Sequence, residues 1–332
     1  MTQTLHQDCK KRRQEKLVSA AHARRHPALV PCDFPLKAYR SASRKGATGL
    51  SLLTFNPLEA INSTSPMEIP CNNCMGCKLE KSRQWAVRML HESKLYDQNS
   101  FLTLTYSDET IPTDYGLSLR HLQLFIKRLR KSLPQKIRFF ACGEYGDQTQ
   151  RPHYHAIVFN YQPNDQIKHS LSPSKQIIYT SQKLQDLWQL GFATSQTVTY
   201  QSCAYVARYV TKKIKTGDDF GAQNYFRLSP VDLLYHSVKP EFAVMSRRPG
   251  IGYAYTQKFK RDYYPSGYIV VNGVRQAPPK YYVSQLSEEE QTKLKRQARR
   301  LGLKNKPHQT TERRLARAAV RDARITNLKR GL

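Results

Sequence analysis

The chain has 332 residues and a formal charge of +29, from 54 Lys and Arg against 25 Asp and Glu. Such an excess of cations favours a polyanionic partner, nucleic acid ahead of an acidic membrane surface. No apolar run approaches the ~18 residues of a spanning helix and no signal-peptide core follows the N-terminus, so a soluble intracellular protein with no membrane partner is expected.

In chain order, residues 1–28 are basic and polar and read as a mobile arm. Residues 29–98 form a Cys-rich segment: extended loop with short strands to about residue 70, then a helix from Leu79 to Leu95 carrying Trp85, Val87, Met89 and Leu90. A core segment follows over residues 99–216. In it, Ser100–Tyr106 is a strand, with Thr103 and Thr105 on one side and Leu102 and Leu104 on the other. Leu117–Leu133 is an amphipathic helix that buries Leu119, Leu122, Phe125, Ile126 and Leu129, with Lys127, Arg128, Arg130 and Lys131 crowding its far half. Lys136–Cys142 is a strand, Gly143–Gln150 a turn, and His153–Phe159 the hairpin partner. A helix over Ser181–Leu190, a strand over Ala193–Tyr200 and a helix over Ser202–Lys215 complete this segment. Residues 217–284 are a Tyr-rich accessory region of loops and short strands, and residues 285–332 a basic tail. The element order β–α–β–β–α–β–α specifies a compact antiparallel core of α+β class.

His153 and His155 open a run of β-formers. Residues i and i+2 share one face of a strand, so both imidazoles project together while Tyr154 faces the other way. Two imidazoles on one face suit a divalent ion, although such pairs on strands are also plain surface or core residues. A carboxylate would complete the site. Glu144, leaving the neighbouring strand, is the best candidate, with Asp147 next and a solvent-facing turn acid as the alternative.

About fifty residues on, Tyr205 and Tyr209 stand at i and i+4 of a helix, on one face. They are either a buried aromatic stripe or, with Arg208 between them and Lys212 and Lys213 following, a phosphate-facing surface. Lys212 and Lys213 hold a phosphate or leaving group on one reading and complement the helix dipole on the other.

Cys71, Cys74 and Cys77 are spaced close to the pattern of structural zinc sites. Cys32 is the nearby upstream thiol able to make a fourth ligand; Cys9 lies in the arm, and His91 is an alternative. An Fe–S cluster or buried free thiols are the other readings. Cys142 and Cys203 read as core. Candidate DNA contacts are Arg83, Arg88, Lys127, Arg128, Arg151, Arg208 and the basic tail, with Tyr and Phe of the accessory region stacking on unpaired bases.

The pairing of His153-Tyr154-His155 with Tyr205-x-x-x-Tyr209 resembles the HUH endonucleases that start rolling-circle replication, and among them the replication initiators of gokushoviruses, single-stranded-DNA phages of the microvirus group. Pro70-Cys71-Asn72-Asn73-Cys74-Met75-Gly76-Cys77, Ser82-Arg83-Gln84-Trp85-Ala86-Val87-Arg88 and Phe101-Leu102-Thr103-Leu104-Thr105-Tyr106 fit the same family, over roughly residues 30–260. The resemblance implies a palm-like, five-stranded antiparallel sheet flanked by helices. It supports Glu144 as third ligand to Mg²⁺ or Mn²⁺ beside His153 and His155, and Tyr205 or Tyr209 as nucleophile on origin DNA. The product would be a 5′-phosphotyrosyl protein and a 3′-hydroxyl primer, formed in the host bacterial cytoplasm with host replication machinery as partner. A plasmid relaxase or transposase of the same class, and a non-catalytic nucleic-acid-binding protein, are the alternatives.

Overall fold

The computed structural model describes residues 32–45, 51–146, 148–210 and 225–326. The N-terminal arm with Cys9, and Asp147, Lys212 and Lys213, lie outside the described residues. The described residues up to Glu80, together with those from Arg296 onward, make one compact unit, and Lys81–Lys295 make the other. Among the described residues, no helix is long and apolar enough to cross a membrane.

In the first unit, strand β1 (Leu36–Lys45) lies between β2 (Ser51–Thr54) and β3 (Met67–Ile69), all antiparallel. Helix α1 (Met75–Ser93) starts four residues before the expected Leu79, inside the cysteine run. The C-terminal helix, Thr311–Thr326, belongs to this unit too: Arg321 meets the buried Asp33 at 2.6 Å and Arg314 meets Glu68 at 2.5 Å.

The second unit is built on β4 (Asn99–Tyr106), α2 (Leu119–Lys131), β5 (Arg138–Tyr145), β6 (Pro152–Phe159), β7 (Ile167–Leu171), β8 (Ile177–Thr180), α3 (Gln182–Trp188), β9 (Gly191–Thr197) and α4 (Tyr200–Arg208), followed by β10 (Phe226–Leu228), β11 (Tyr235–Ser237) and β12 (Phe242–Met245). Seven strands form one antiparallel sheet in the order β12-β5-β6-β4-β9-β8-β7. The sheet is larger than the five strands expected, because β12 extends it beyond β5 at one edge and the hairpin β7–β8 extends it beyond β9 at the other.

Alternation along the strands divides the core in two. Leu102, Leu104, Tyr154, Ala156 and Val158 pack under Leu122, Phe125, Ile126 and Leu129 of α2 and Leu184 and Trp188 of α3. The Tyr154 hydroxyl lies 2.6 Å from the Tyr106 hydroxyl, donates to Ser118 O and accepts from Ser118 N, while the Tyr106 hydroxyl also meets His121 Nδ1. On the opposite face Phe101, Phe140, Cys142, Ile157 and Phe159 pack against Ala86 and Met89 of α1 and Cys203, Val206 and Ala207 of α4. Ser118, Ser181 and Thr199 cap α2, α3 and α4 through their hydroxyls. Gly191 opens β9 at φ +133°, where a Cβ would stand 2.2 Å from Ser107 N. Only glycine suits that conformation and that approach.

His91, on α1, is buried; its ring stacks on Tyr255 with centroids 4.0 Å apart and its Nδ1 lies 3.1 Å from the Tyr282 hydroxyl. Burial, aided by the charge of Lys94, lowers its pKa to about 4. The unfolded chain therefore binds a proton below pH ~6.5 that the folded chain refuses. This contribution to stability is full above pH ~6.5 and is lost as the pH falls toward 4, by roughly 3 kcal/mol. Urea unfolding between pH 7 and pH 4 should show this loss, and His91→Phe should flatten the curve; an equally steep curve in the variant would assign the loss to other groups.

Candidate active site and metal centres

His153 and His155 of β6 face β5 and β4. Glu144 stands directly opposite His153, and His155 lies between Cys142 of β5 and Thr103 of β4. The expected turn at Gly143 is corrected here, since β5 runs on to Tyr145. The Tyr145 hydroxyl holds that extension, donating to Lys239 O at 2.7 Å and accepting from Leu117 N. Glu144 is consequently a buried strand residue rather than a turn acid. Ligand atoms of Glu144, His153 and His155 all lie within 4.8 Å of one another.

One carboxylate oxygen is the focus of this cluster. Glu144 Oε1 lies 2.7 Å from His153 Nε2, 3.0 Å from His155 Nε2 and 2.6 Å from the Tyr205 hydroxyl, which donates to it. Glu144 Oε2 is buried and, among the described residues, finds no hydrogen-bond partner. The second nitrogens are anchored as those of metal-binding histidines are. His153 Nδ1 is 3.0 Å from Arg151 O, which can only accept, so this nitrogen carries the proton; His155 Nδ1 meets the Thr103 hydroxyl. With Nδ1 protonated, a neutral His153 points the lone pair of Nε2 at a carboxylate oxygen. A cation, either a proton on the ring or a shared metal ion, relieves that repulsion. Burial alone would raise the Glu144 pKa, but the hydrogen bonds from His153 and His155 hold it far below the usual carboxylate range. Burial lowers the pKa of His155, against the pull of Glu144. The donor set and the orphaned oxygen fit Mg²⁺ or Mn²⁺.

Tyr205 reaches the cluster from α4. Its ring stands edge-on to that of His155, with centroids 5.0 Å apart, and the Arg208 guanidinium lies 4.7 Å above its centroid. Burial and then the Glu144 charge push its phenol well above the ordinary tyrosine pKa. Tyr209 is buried at the C-cap of α4, its ring tilted against that of Tyr205 at 5.7 Å. The two tyrosines therefore share a face as their spacing predicts, but the hydroxyl on Glu144 is that of Tyr205. The described helix ends at Arg208, and the expected stretch to Lys215 passes into residues outside the description.

Cys32, Cys71, Cys74 and Cys77 form the other cluster, with all four sulfurs within 4.8 Å of one another. His91, the alternative fourth ligand, is engaged instead with Tyr255 and Tyr282. Cys142 and Cys203 are fully buried in the core, as expected.

Several cations expected at a DNA surface have partners within the fold. The Arg88 guanidinium is sandwiched between Trp85 and Tyr281, at 4.0 and 3.9 Å from their centroids, and donates to Ile251 O. Arg128 donates to Leu187 O and Trp188 O at the end of α3, Arg151 bonds Tyr106 O and Asp108, and Arg83 bonds Gln276. Lys127 and Arg208 are exposed. The fold also assembles a cationic cleft of about 530 Å³ lined by Arg130, Lys136, Arg138, Arg247 and Arg248. Sequence reasoning missed this cleft because its cations come from separate segments and show no local run.

A family model for replication-associated proteins of the ORF2 type matches residues 99–214. The chain is 33% identical over 260 residues to Replication-associated protein VP4 of Bdellovibrio phage phiMH2K, covering 76% of this chain and 75% of that protein. It is 33% identical over 235 residues to Replication-associated protein ORF2 of Spiroplasma virus 4, covering 67% of this chain and 68% of the relative. Against Replication-associated protein ORF4 of Chlamydia phage 1 it is 32% identical over 222 residues, covering 64% of this chain and 52% of the relative. No solved structure matches.

Proposed function

Since the chain belongs to the replication-associated proteins of microvirus-like phages, we propose that it initiates rolling-circle replication as an HUH-type tyrosine nuclease, nicking and rejoining single-stranded origin DNA in the host cytoplasm. The observation that carries this reading is the convergence of His153, His155 and Tyr205 on one oxygen of Glu144, whose other oxygen is buried without a partner among the described residues.

His153, His155 and Glu144 hold Mg²⁺ or Mn²⁺, which when bound polarises a phosphate oxygen and offsets the charge of phosphoryl transfer. Tyr205 is the first nucleophile. Its oxygen bonds to phosphorus, the bond from phosphorus to the 3′ oxygen breaks, and that oxygen leaves as a hydroxyl after taking a proton. The phenol proton already lies on a hydrogen bond to Glu144 Oε1, a path for its departure. Arg208, over the Tyr205 ring, places positive charge where the phosphate arrives. The tyrosyl ester conserves the energy of the phosphodiester, so rejoining needs no nucleotide. Tyr209 serves the second transfer, and Lys212 and Lys213 steady the phosphate. DNA is held by Lys127, the cationic cleft and other distributed cations, while host enzymes extend the free 3′ end. The relatives, all from phages, favour this reading over a plasmid relaxase or transposase.

Labelled single-stranded origin DNA, incubated with the protein and Mn²⁺, should yield a covalent adduct and a fragment ending in a 3′-hydroxyl, and EDTA should suppress both. Cleavage that persists in EDTA, or that leaves no DNA on the protein, would overturn the reading.

A further inference from the structure

We propose that Cys32, Cys71, Cys74 and Cys77 bind one structural zinc ion, and that this ion fastens the arginine-rich C-terminal helix to the N-terminal sheet. The cluster takes no part in the nicking chemistry, so the inference stands apart from it. All four thiols are free. The sulfur of Cys32 is 3.6 Å from that of Cys71 and 3.9 Å from that of Cys74. A disulfide requires about 2.05 Å, so these are not oxidised pairs. Tetrahedral zinc with bonds of about 2.3 Å places its sulfurs about 3.8 Å apart, between the two distances found. A multi-iron cluster distributes its cysteines over separate irons and needs a wider cage.

The backbone around the sulfurs is arranged for thiolates. Cys71 N donates to Cys32 Sγ at 3.3 Å, Cys74 N to Cys71 Sγ at 3.3 Å, and Asp33 N and Cys77 N to Cys74 Sγ at 3.3 and 3.5 Å. Four thiolates around Zn²⁺ leave a net double negative charge, and amide N–H groups aimed at sulfur disperse it. Four neutral thiols would gain little from the same donors.

The neighbour of one ligand extends the site. Asp33 Oδ2 accepts from Gly76 N, between Cys74 and Cys77, at 3.2 Å and from Arg321 of the C-terminal helix at 2.6 Å. Fixing Cys32 on the ion fixes Asp33, and Asp33 holds Arg321. Residues 288 positions apart thereby meet at one centre. Because metal binding contributes folding free energy, loss of the ion should release this helix as well as the cysteine loop.

Elemental analysis of the full chain should find one zinc per protein, and His153→Ala with His155→Ala should retain it, placing the ion outside the catalytic cluster. Cobalt replacing it should give the visible absorption of a tetrahedral thiolate complex. A mercurial titration of the wild type, which needs no variant to fold, should release one zinc as four thiols react. Release should also speed tryptic cleavage between Arg313 and Arg324 severalfold, as should Asp33→Ala with zinc still bound. Metal-free protein that resists trypsin as well as the purified protein does, zinc lost with the histidines, or iron in place of zinc would each overturn the proposal.

Discussion

Replacing Tyr205 by phenylalanine is expected to abolish the covalent protein–DNA adduct, lowering the first cut by roughly three orders of magnitude or more. Phenylalanine keeps the ring that packs on His155 and Tyr209 and carries Arg208. What it removes is the one oxygen that sits on Glu144. Single-strand affinity should hold within about twofold, since it comes from many dispersed cations. Tyr209→Phe should retain the first cut within about tenfold, because Tyr209 is buried behind Tyr205, but should fail the second transfer that releases a circle. Peptide mapping of the trapped adduct decides the order: DNA on Tyr209 in the wild type, or an undiminished adduct from the Tyr205 variant, would reverse the assignment. A role in packing alone predicts mild and equal effects from both substitutions.

Glu144→Gln should cost about 10²–10³-fold in nicking while leaving a folded protein. The amide is nearly isosteric and can donate to His153 or His155, so the metal-free fold keeps a satisfied strand pair. It cannot bind a divalent ion as a carboxylate does. The cleanest readout is thermal: saturating Mn²⁺ at about a hundred times its dissociation constant should stabilise the wild type by about 2.7 kcal/mol, and the variant should show almost none of that shift. A second readout follows from the electrostatics. The Glu144 charge helps keep the Tyr205 phenol protonated, so its removal should lower that phenol's pKa, visible in the ultraviolet titration. A variant with a full Mn²⁺ shift would remove Glu144 from the metal site even if nicking were lost.

The pairs of site residues were legible in the sequence because each follows from the period of one element. Alternation puts His153 and His155 on one face, and a helical step of four aligns Tyr205 with Tyr209. Glu144 was legible as a residue but misplaced, since what carries β5 past Gly143 is the Tyr145 hydroxyl on Lys239 O, a contact across 94 positions with no local signature. The extra strands were hidden for related reasons. All five residues of β7 are exposed, so no apolar pattern marks it, and β12 is four residues long within a region of loops. Helices read better: α2 buries Leu122, Phe125, Ile126 and Leu129, the stripe its periodicity predicts less Leu119. The basic tail, read as solvated, instead delivers Arg314 and Arg321 to carboxylates near the other end of the chain. Charge counts carry no information about such partners.

Tyr154, the middle residue between the two histidines, never touches the site, yet it guards the site's identity. A strand that slid by one position against its neighbours would turn both imidazoles into the layer beneath Phe125 and Trp188 and push this phenol toward α4. That misaligned sheet would strand the N–H and carbonyl of Ser118, which now share the Tyr154 hydroxyl, at about 1–3 kcal/mol for each buried group. The spacer thus acts as a proofreader during folding, rejecting the frame in which the ligands would face the wrong way.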